Sequence, residues 1–558
     1  MDLGDTSKKS HSDSRVGIVL ERITAWVLIL FYIFLAVLSL LLTSYLPHNN
    51  YNIEFSWKSW PLVLLSSVGI FTVLFFIKKV GALAKMREKP LGLIVAIYTF
   101  IASLWWGAFA NVWPEWDPAY ILKGAAYLNH PTFKLVCGGG GDETAWILCP
   151  GGYLDRFPYQ IPFFLFVKGL NKIFGSYTYQ AFEVLNALAA AITVVLIAVL
   201  AKKLFGDREV TNLSLLLCAA FLPLVFYVTF AYANTLSLPF VFLGIIWQVV
   251  GIQNNDWRYA PAALLSVSIG MLLKSTMIYV LMAMVVVWLL CSIKKKQWRY
   301  IGYVFLAVVF YFGSSLVTTA SAHALGYNSK NGLPKVVWLA MGTKKPQDMK
   351  TNNFGWYNGL PTSWAPEDYD IKRIDRQAES MLQENVKEFQ KDPHYAFIFF
   401  SKKFASEWTE PTYESLLASS WSGTGPGRAE MSTRPMNPIL RSIYYRKGRA
   451  FIENWCDILQ FLLVLGAALC LIRQRKSLGI ERMTAIIIPF GMALLYLLWE
   501  AQAQYIMPAY LLMIPYSAFG INSVLSIRGR GKRDANKEES TSTGDSESLS
   551  CDSRVESR

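Results

Sequence analysis

The residues best suited to chemistry in this chain are acids and lysines placed where apolar runs end. Glu115 and Asp117 stand in NVWPEWDPAY, directly after the run LGLIVAIYTFIASLWWGAFA. Asp155 and Arg156 stand in GGYLDRFPYQIP, and Lys274 in MLLKSTM. Lys402 and Lys403 stand in FSKKFASEW, and Glu500 in LLYLLWEAQAQY. An ionisable group at a membrane edge costs free energy, which makes each a functional-site candidate. A carboxylate there can take a proton from an acceptor hydroxyl, and the low-dielectric surface raises its pKa toward a useful range. A lysine there suits an anionic headgroup. Each residue also has a plainer reading. WDP fits a helix cap, with Asp117 as N-cap and Pro118 as first helical residue. Lys274 fits a side chain snorkelling to the interface.

Other chemistries find little support. There is no Walker loop, no dinucleotide glycine pattern after a strand, and no HExxH. CGGGGDE lacks the strand-then-helix context that gives glycine-rich runs their meaning. The five histidines show no ligand spacing, so no metal site is expected. Cys137 and Cys149 bracket GGGGDETAWIL. They are either two free thiols or, in an oxidising compartment, a disulfide. The disulfide is the expectation, worth roughly 2–3 kcal/mol for so short a loop.

These residues must be positioned by a membrane scaffold. Mean hydropathy is +0.32, and 16% of residues are charged against about 25% in an average soluble domain. About twelve apolar segments reach the ~20 residues that span a bilayer. They lie near 23–45, 60–77, 91–110, 181–201, 210–230, 236–251, 259–273, 276–292, 300–317, 452–472, 483–499 and 505–523. The fold expected is an all-α polytopic membrane protein of about 12 transmembrane helices. The net charge of +14 resides in short loops and tails, which is orientation by positive charge and not a nucleic-acid surface. Both termini are then cytoplasmic, and two large loops, 111–180 and 318–450, are extracytoplasmic.

The chain divides into a cytoplasmic tail (1–22), an N-terminal two-helix addition (23–90) and a core (91–317) carrying the first large loop. The second outer loop (318–450), C-terminal membrane helices (451–525) and a polar tail expected to be disordered (526–558) follow. DPAYILKGAAYLNH and PFFLFVKGLNKIFG read as interfacial helices, with apolar faces toward lipid and Lys123, Lys168 and Lys172 toward water. EDYDIKRIDRQAESMLQENVKEFQKDP has helical periodicity. HYAFIFFSKKFASEW is too short to span and is expected at the surface.

Taken in order, the motifs resemble those of the GT-C superfamily of integral membrane glycosyltransferases. Glu115-Trp-Asp117 looks like its acidic first-loop motif. DRFPYQ resembles an element of bacterial relatives of the protein O-mannosyltransferase and aminoarabinose-transferase group. MGTKKPQDMKTNNFGWYNG, FSKKFASEW and EAQAQYIMPAYLLMIPYSAFG resemble later segments. The resemblance implies transfer of a sugar from a polyprenyl-phosphate carrier to a cell-envelope acceptor, with no tightly bound cofactor and divalent-metal dependence open. It implies Asp117 as base, with Glu115 and Asp155 as further acids, and Lys274, Arg156 and Lys402 as holders of the donor phosphate. It places Tyr159, Gln160, Glu500 and Tyr505 in the substrate cleft. Gln504 departs from the pattern, standing where many relatives have Arg. The competing reading is a lipid-linked oligosaccharide flippase. That reading calls for charges near the bilayer midplane, whereas an enzyme brings Asp117, Asp155 and Lys274 to one outward pocket.

Overall fold

Uninterrupted apolar runs become helices because the bilayer offers the backbone no other hydrogen-bond partners. The computed structural model describes residues 13–46, 53–57, 60–137, 143–346, 352–417, 421 and 436–542, without the side chains of 367 and 527–542. Eight helices among these are long and apolar enough to cross a membrane, and the pair Arg208–Ala220 and Leu222–Thr229, bent by 55°, makes a ninth. Leu238–Asn254, Tyr259–Leu273 and Thr484–Leu498 are shorter apolar helices. Every apolar segment read from the sequence overlaps one of these helices or the bent pair, although the first, read as 23–45, leaves its helix at Leu41. The chain is an all-α polytopic membrane protein. A small antiparallel ribbon pairs Leu42–Tyr45 with Glu54–Trp57.

Local chemistry ends the helices where the site needs turns. Asn111 takes a left-handed φ of 45° after Glu88–Ala110 and releases the chain toward Glu115. Gly206, at φ 68°, ends Thr178–Phe205, and the Asp207 side chain then caps the next helix by accepting from the Glu209 amide. The basic ends of the helices gather at one end of the bundle. Lys78 pairs with Glu209 at 2.9 Å, Lys294 with Glu21, and Lys202 with Glu88. The large loops lie at the other end.

The N-terminal pair is unevenly built into the core. Arg15–Leu41 packs against Lys447–Gln474 and Ile278–Lys295. Its Tyr32 is fully buried and donates to the Ile486 carbonyl at 3.0 Å. Trp60–Lys79 buries only Val63 and Ser67.

Three expectations about the loops change. Trp116–Asn129 and Ile161–Phe174 bury Ile121, Ala125, Phe163, Phe164 and Val167 against protein, not lipid. Gly124 allows the close approach, since a Cβ there would meet Ile147 at 2.8 Å and Phe164 at 3.1 Å. The helix Pro393–Trp408 does not stay at the surface: its C-terminal half, from Lys403 to Trp408, is largely buried. There Ser406 accepts from the Trp356 indole at 2.8 Å, and the Tyr510 hydroxyl donates to the Trp408 carbonyl at 2.9 Å. The amphipathic helix of the second loop forms at Ile371–Lys391, capped by Asp370. At the C-terminus the last helix runs from Ala503 to Ser542, so the expected tail overlaps helix up to that point. The rest of that tail, and the first twelve residues, lie outside the described residues.

Because Tyr32 fills its site completely, Tyr32→Ala is expected to lower stability by about 3–5 kcal/mol, as for other large buried aromatics. Thermal unfolding of the purified protein in detergent measures this; an unchanged midpoint would mean that the first helix is not part of the cooperative core.

Candidate active site

Asp117, Lys274 and Glu500 share one cavity of about 570 Å³. Each arrives from a break between helices. Asp117 sits in the first turn of Trp116–Asn129, immediately after Trp116, whose φ of 53° is strained for a side-chain-bearing residue. Lys274 occupies the extended residue (φ −139°, ψ 103°) that interrupts Tyr259–Leu273 and the helix beginning at Ile278. Glu500 follows Thr484–Leu498, in a segment tied down where the Ala501 amide donates to the Gly355 carbonyl at 3.0 Å. Aromatic side chains make up much of the wall, among them Trp116, Tyr153, Tyr159, Tyr232, Trp338 and Tyr505.

The electrostatics separate the two acids. Burial pushes Asp117 up to about 6, held there by the charge of Lys274 and by the Tyr153 and Tyr232 hydroxyls. Burial, and then the Asp117 charge, push Glu500 up to about 8, opposed by the Tyr505 hydroxyl and by Lys274 and Lys403. Both acids are raised, Glu500 further than Asp117, so Asp117 is the more readily ionised of the two. Pairs of acids driven apart in this way divide base and hydrogen-bond-donor roles between them. Burial lowers Lys274 to about 7, with Asp117 and Glu500 resisting. Its ammonium lies 3.7 Å from the Tyr232 ring centre and 5.9 Å from that of Tyr505. These faces compensate part of its lost hydration. Among the described residues, Lys274 is the one cation lining the cavity.

Tyr159 and Tyr505 line the cavity, and Tyr505 donates to Glu500 at 3.4 Å. Gln160 stands one step back and donates to the Tyr232 hydroxyl. Glu115 is the N-cap residue of Trp116–Asn129, makes no side-chain cap bond, and does not line the cavity. Asp117 is therefore not the N-cap, since the helix starts one residue before it. Asp155 and Arg156 are buried outside the cavity lining. Asp155 accepts from the Gly151 amide at 2.9 Å. Arg156 lies between the Trp146 and Tyr369 rings, at 4.9 and 4.7 Å, and donates to the Gly151, Pro361 and Trp364 carbonyls. A fork so engaged, with Nε and both Nη nitrogens each donating to a loop carbonyl, ties the two large loops together away from the cavity. Lys402 donates to Asn352 at 2.8 Å, over the Phe354 ring and away from the cavity. Cys137 and Cys149 are joined in a disulfide. It closes the segment that carries Trp146, another wall residue.

Several wall residues escaped the sequence reading. Glu414 lines the cavity and accepts from the Gln504 amide at 3.2 Å. Its signal was an acid in EWTEPTYES, just after an apolar run. Tyr153, Tyr232, Trp338 and Tyr357 carry no spacing signal. Gln504, the residue that departs from the family pattern, also lines the cavity. Among the described residues, no group of three or more His, Cys, Asp or Glu is arranged around a common metal position.

Lys403 has a structural task. Its buried ammonium donates to the carbonyls of Gly342, Leu497 (3.1 Å) and Trp499 (2.6 Å). It thereby satisfies the C-terminal ends of Val336–Gly342 and Thr484–Leu498, whose last carbonyls have no intrahelical partner. Trp338 and Trp499 stack at 5.9 Å beside it.

The fold and site define a polytopic helical membrane protein with an acid–lysine cavity among the loops at one end of its helices. Residues 161–313 match the family model described as dolichyl-phosphate-mannose-protein mannosyltransferase, which supports a GT-C superfamily membrane glycosyltransferase. No curated protein matches the chain significantly. Among solved structures, the oligosaccharyltransferase of Archaeoglobus fulgidus in its apo form is similar, with a TM-score of 0.40 and 10% identity over 80% of this chain. The chain covers 52%, about half, of that protein's length.

Lys403→Met removes a charged donor from three buried carbonyls and is expected to cost about 3 kcal/mol. The unfolding midpoint in detergent tests this; a stability equal to wild type would mean that the carbonyls find other partners.

Proposed function

We propose that this protein transfers a sugar from a polyprenyl-phosphate-linked donor to an extracytoplasmic cell-envelope acceptor. The observation that carries the reading is the meeting of Asp117 and Lys274 in one aromatic-walled cavity at the ends of membrane helices. A lipid-linked donor keeps its phosphate at headgroup level, so the reacting carbon must be met there. In this mechanism Asp117 takes the proton of the acceptor hydroxyl, and the freed oxygen attacks the anomeric carbon. The bond from that carbon to the phosphate oxygen breaks, and its electron pair leaves with the polyprenyl phosphate. Lys274 offsets the growing charge on the leaving group. Protonated Glu500 donates a hydrogen bond to the sugar, and the tyrosine and tryptophan rings exclude water and stack on its faces. Positive charge in the loops at the opposite end of the bundle supports cytoplasmic termini and an extracytoplasmic cavity.

Two outcomes follow for transfer from a radiolabelled polyprenyl-phosphate donor pool. Asp117→Asn keeps size and most hydrogen bonding, and is expected to cut transfer at least about a hundredfold at equal expression. Unchanged transfer would remove Asp117 from the mechanism, and no transfer by wild type with any donor would return the argument to a flippase. For the wild type, kcat/KM is expected to rise with pH through about 6, as Asp117 ionises, and to fall through about 7, as Lys274 loses its proton. A profile flat from pH 5 to 8 would contradict both roles.

A further inference from the structure

A second cavity, of about 930 Å³, lies on the far side of the helix that carries Asp117. Trp116–Asn129 is a wall of both. Asp117, Pro118 and Tyr120 line the first, and Ala119, Leu122, Lys123 and Ala126 line the second. The opposite wall of the second is Ile161–Phe174, presenting Lys168 and Lys172 one turn apart. His130 and Trp113 stand at its edge, and no carboxylate lines it among the described residues. The frame is held by Asn129, which donates to the Lys168 carbonyl and to Asn171, each at 2.9 Å. Asn171 in turn donates to Thr178 at 2.9 Å. Lys123 is paired with Glu143 at 2.7 Å. Lys168 and Lys172 have no ion-pair partner among the described residues.

The depth of this groove follows from helix geometry. Lys202 and Glu88 pair at the basic end of the bundle. A 30 Å hydrocarbon core takes about 20 helical residues at 1.5 Å each, which puts its other boundary near Phe182 on one helix and Ala108 on the other. Trp113 and Tyr179, stacked at 6.3 Å, lie just beyond it, where such rings prefer to sit. Ile173, Phe174 and Tyr177 are exposed at the end of the groove, as residues touching lipid would be. Two unpaired lysines at headgroup depth, over an apolar floor of Leu122, Leu128 and Leu165, match a phosphate with acyl chains below it.

We propose that this groove binds the headgroup phosphate of an anionic membrane phospholipid through Lys168 and Lys172. The site is separate from the acid–lysine cavity and does not depend on the transfer reading. A lipid seated there presses on the helix whose first turn carries Asp117, so lipid composition can bear on the site.

The test is native mass spectrometry of the full chain in detergent, titrated with phosphatidylglycerol or phosphatidylcholine. Wild type is expected to prefer phosphatidylglycerol. The Lys168→Gln, Lys172→Gln double variant is expected to lose about fivefold in that preference per lysine, from the usual contribution of one such cation near an anionic surface. The Lys168→Arg, Lys172→Arg variant is expected to retain it, as is Lys391→Gln, which removes a lysine far from the groove. Equal binding of the two lipids by wild type, or an undiminished preference in a folded double Gln variant, overturns the proposal. Displacement of phosphatidylglycerol by millimolar inorganic phosphate also overturns it, in favour of a site for a soluble anion.

Discussion

Within a bilayer, a break in a helix leaves backbone groups that water cannot reach, and such breaks persist only where protein satisfies them. The cavity end of this protein is built from such breaks. The carbonyls of Val228, in the last turn of the bent pair, and of Phe230, just after it, accept from Asn186 at 3.2 and 3.0 Å. The Thr229 carbonyl accepts from the Tyr179 hydroxyl at 2.9 Å. Lys403 closes two helix ends together. Tyr232, Lys274 and Glu500 occupy these breaks or lie beside them, so the side chains that satisfy the backbone also hold the site in place.

That rigidity permits local strain. Trp116, Tyr413 and Glu414 all adopt left-handed backbone, at φ 53°, 52° and 58°. Asp117 follows the first of these, and Glu414 itself lines the cavity. Such residues cost roughly 1–3 kcal/mol each and persist when their surroundings over-determine them. The strain aims carboxylates into a space that regular helices would leave to apolar side chains.

The same burial sets the electrostatics. A lysine among three cavity carboxylates would ordinarily be a hydrated surface cluster. Enclosed by aromatic rings, the groups lose their hydration: burial raises the acids and lowers the lysine, and their mutual charges then modify each shift. Arg156 shows the contrasting outcome, in which engagement with two rings and three loop carbonyls makes a charge structural.

The sequence by itself determined the membrane class and the apolar segments, because span length and charge exclusion act on contiguous residues. It also pointed to the amphipathic helix Ile371–Lys391, the partnership of Cys137 with Cys149, and Asp117, Lys274 and Glu500 at the ends of apolar runs. These are local signals, each written within a few residues. The short order of motifs carried the family resemblance in the same way. Only the tertiary structure decided which charges meet. Asp155, Arg156 and Lys402 carry the same local signature as Lys274, yet the first two turn toward loop backbone, Lys402 turns to the Asn352 side chain, and Glu115 stops one residue short of the cavity. Glu414 and the tyrosine walls come from segments far apart in the chain. Their convergence depends on how helices pack and on which backbone breaks need a partner, and no spacing in the sequence encodes that.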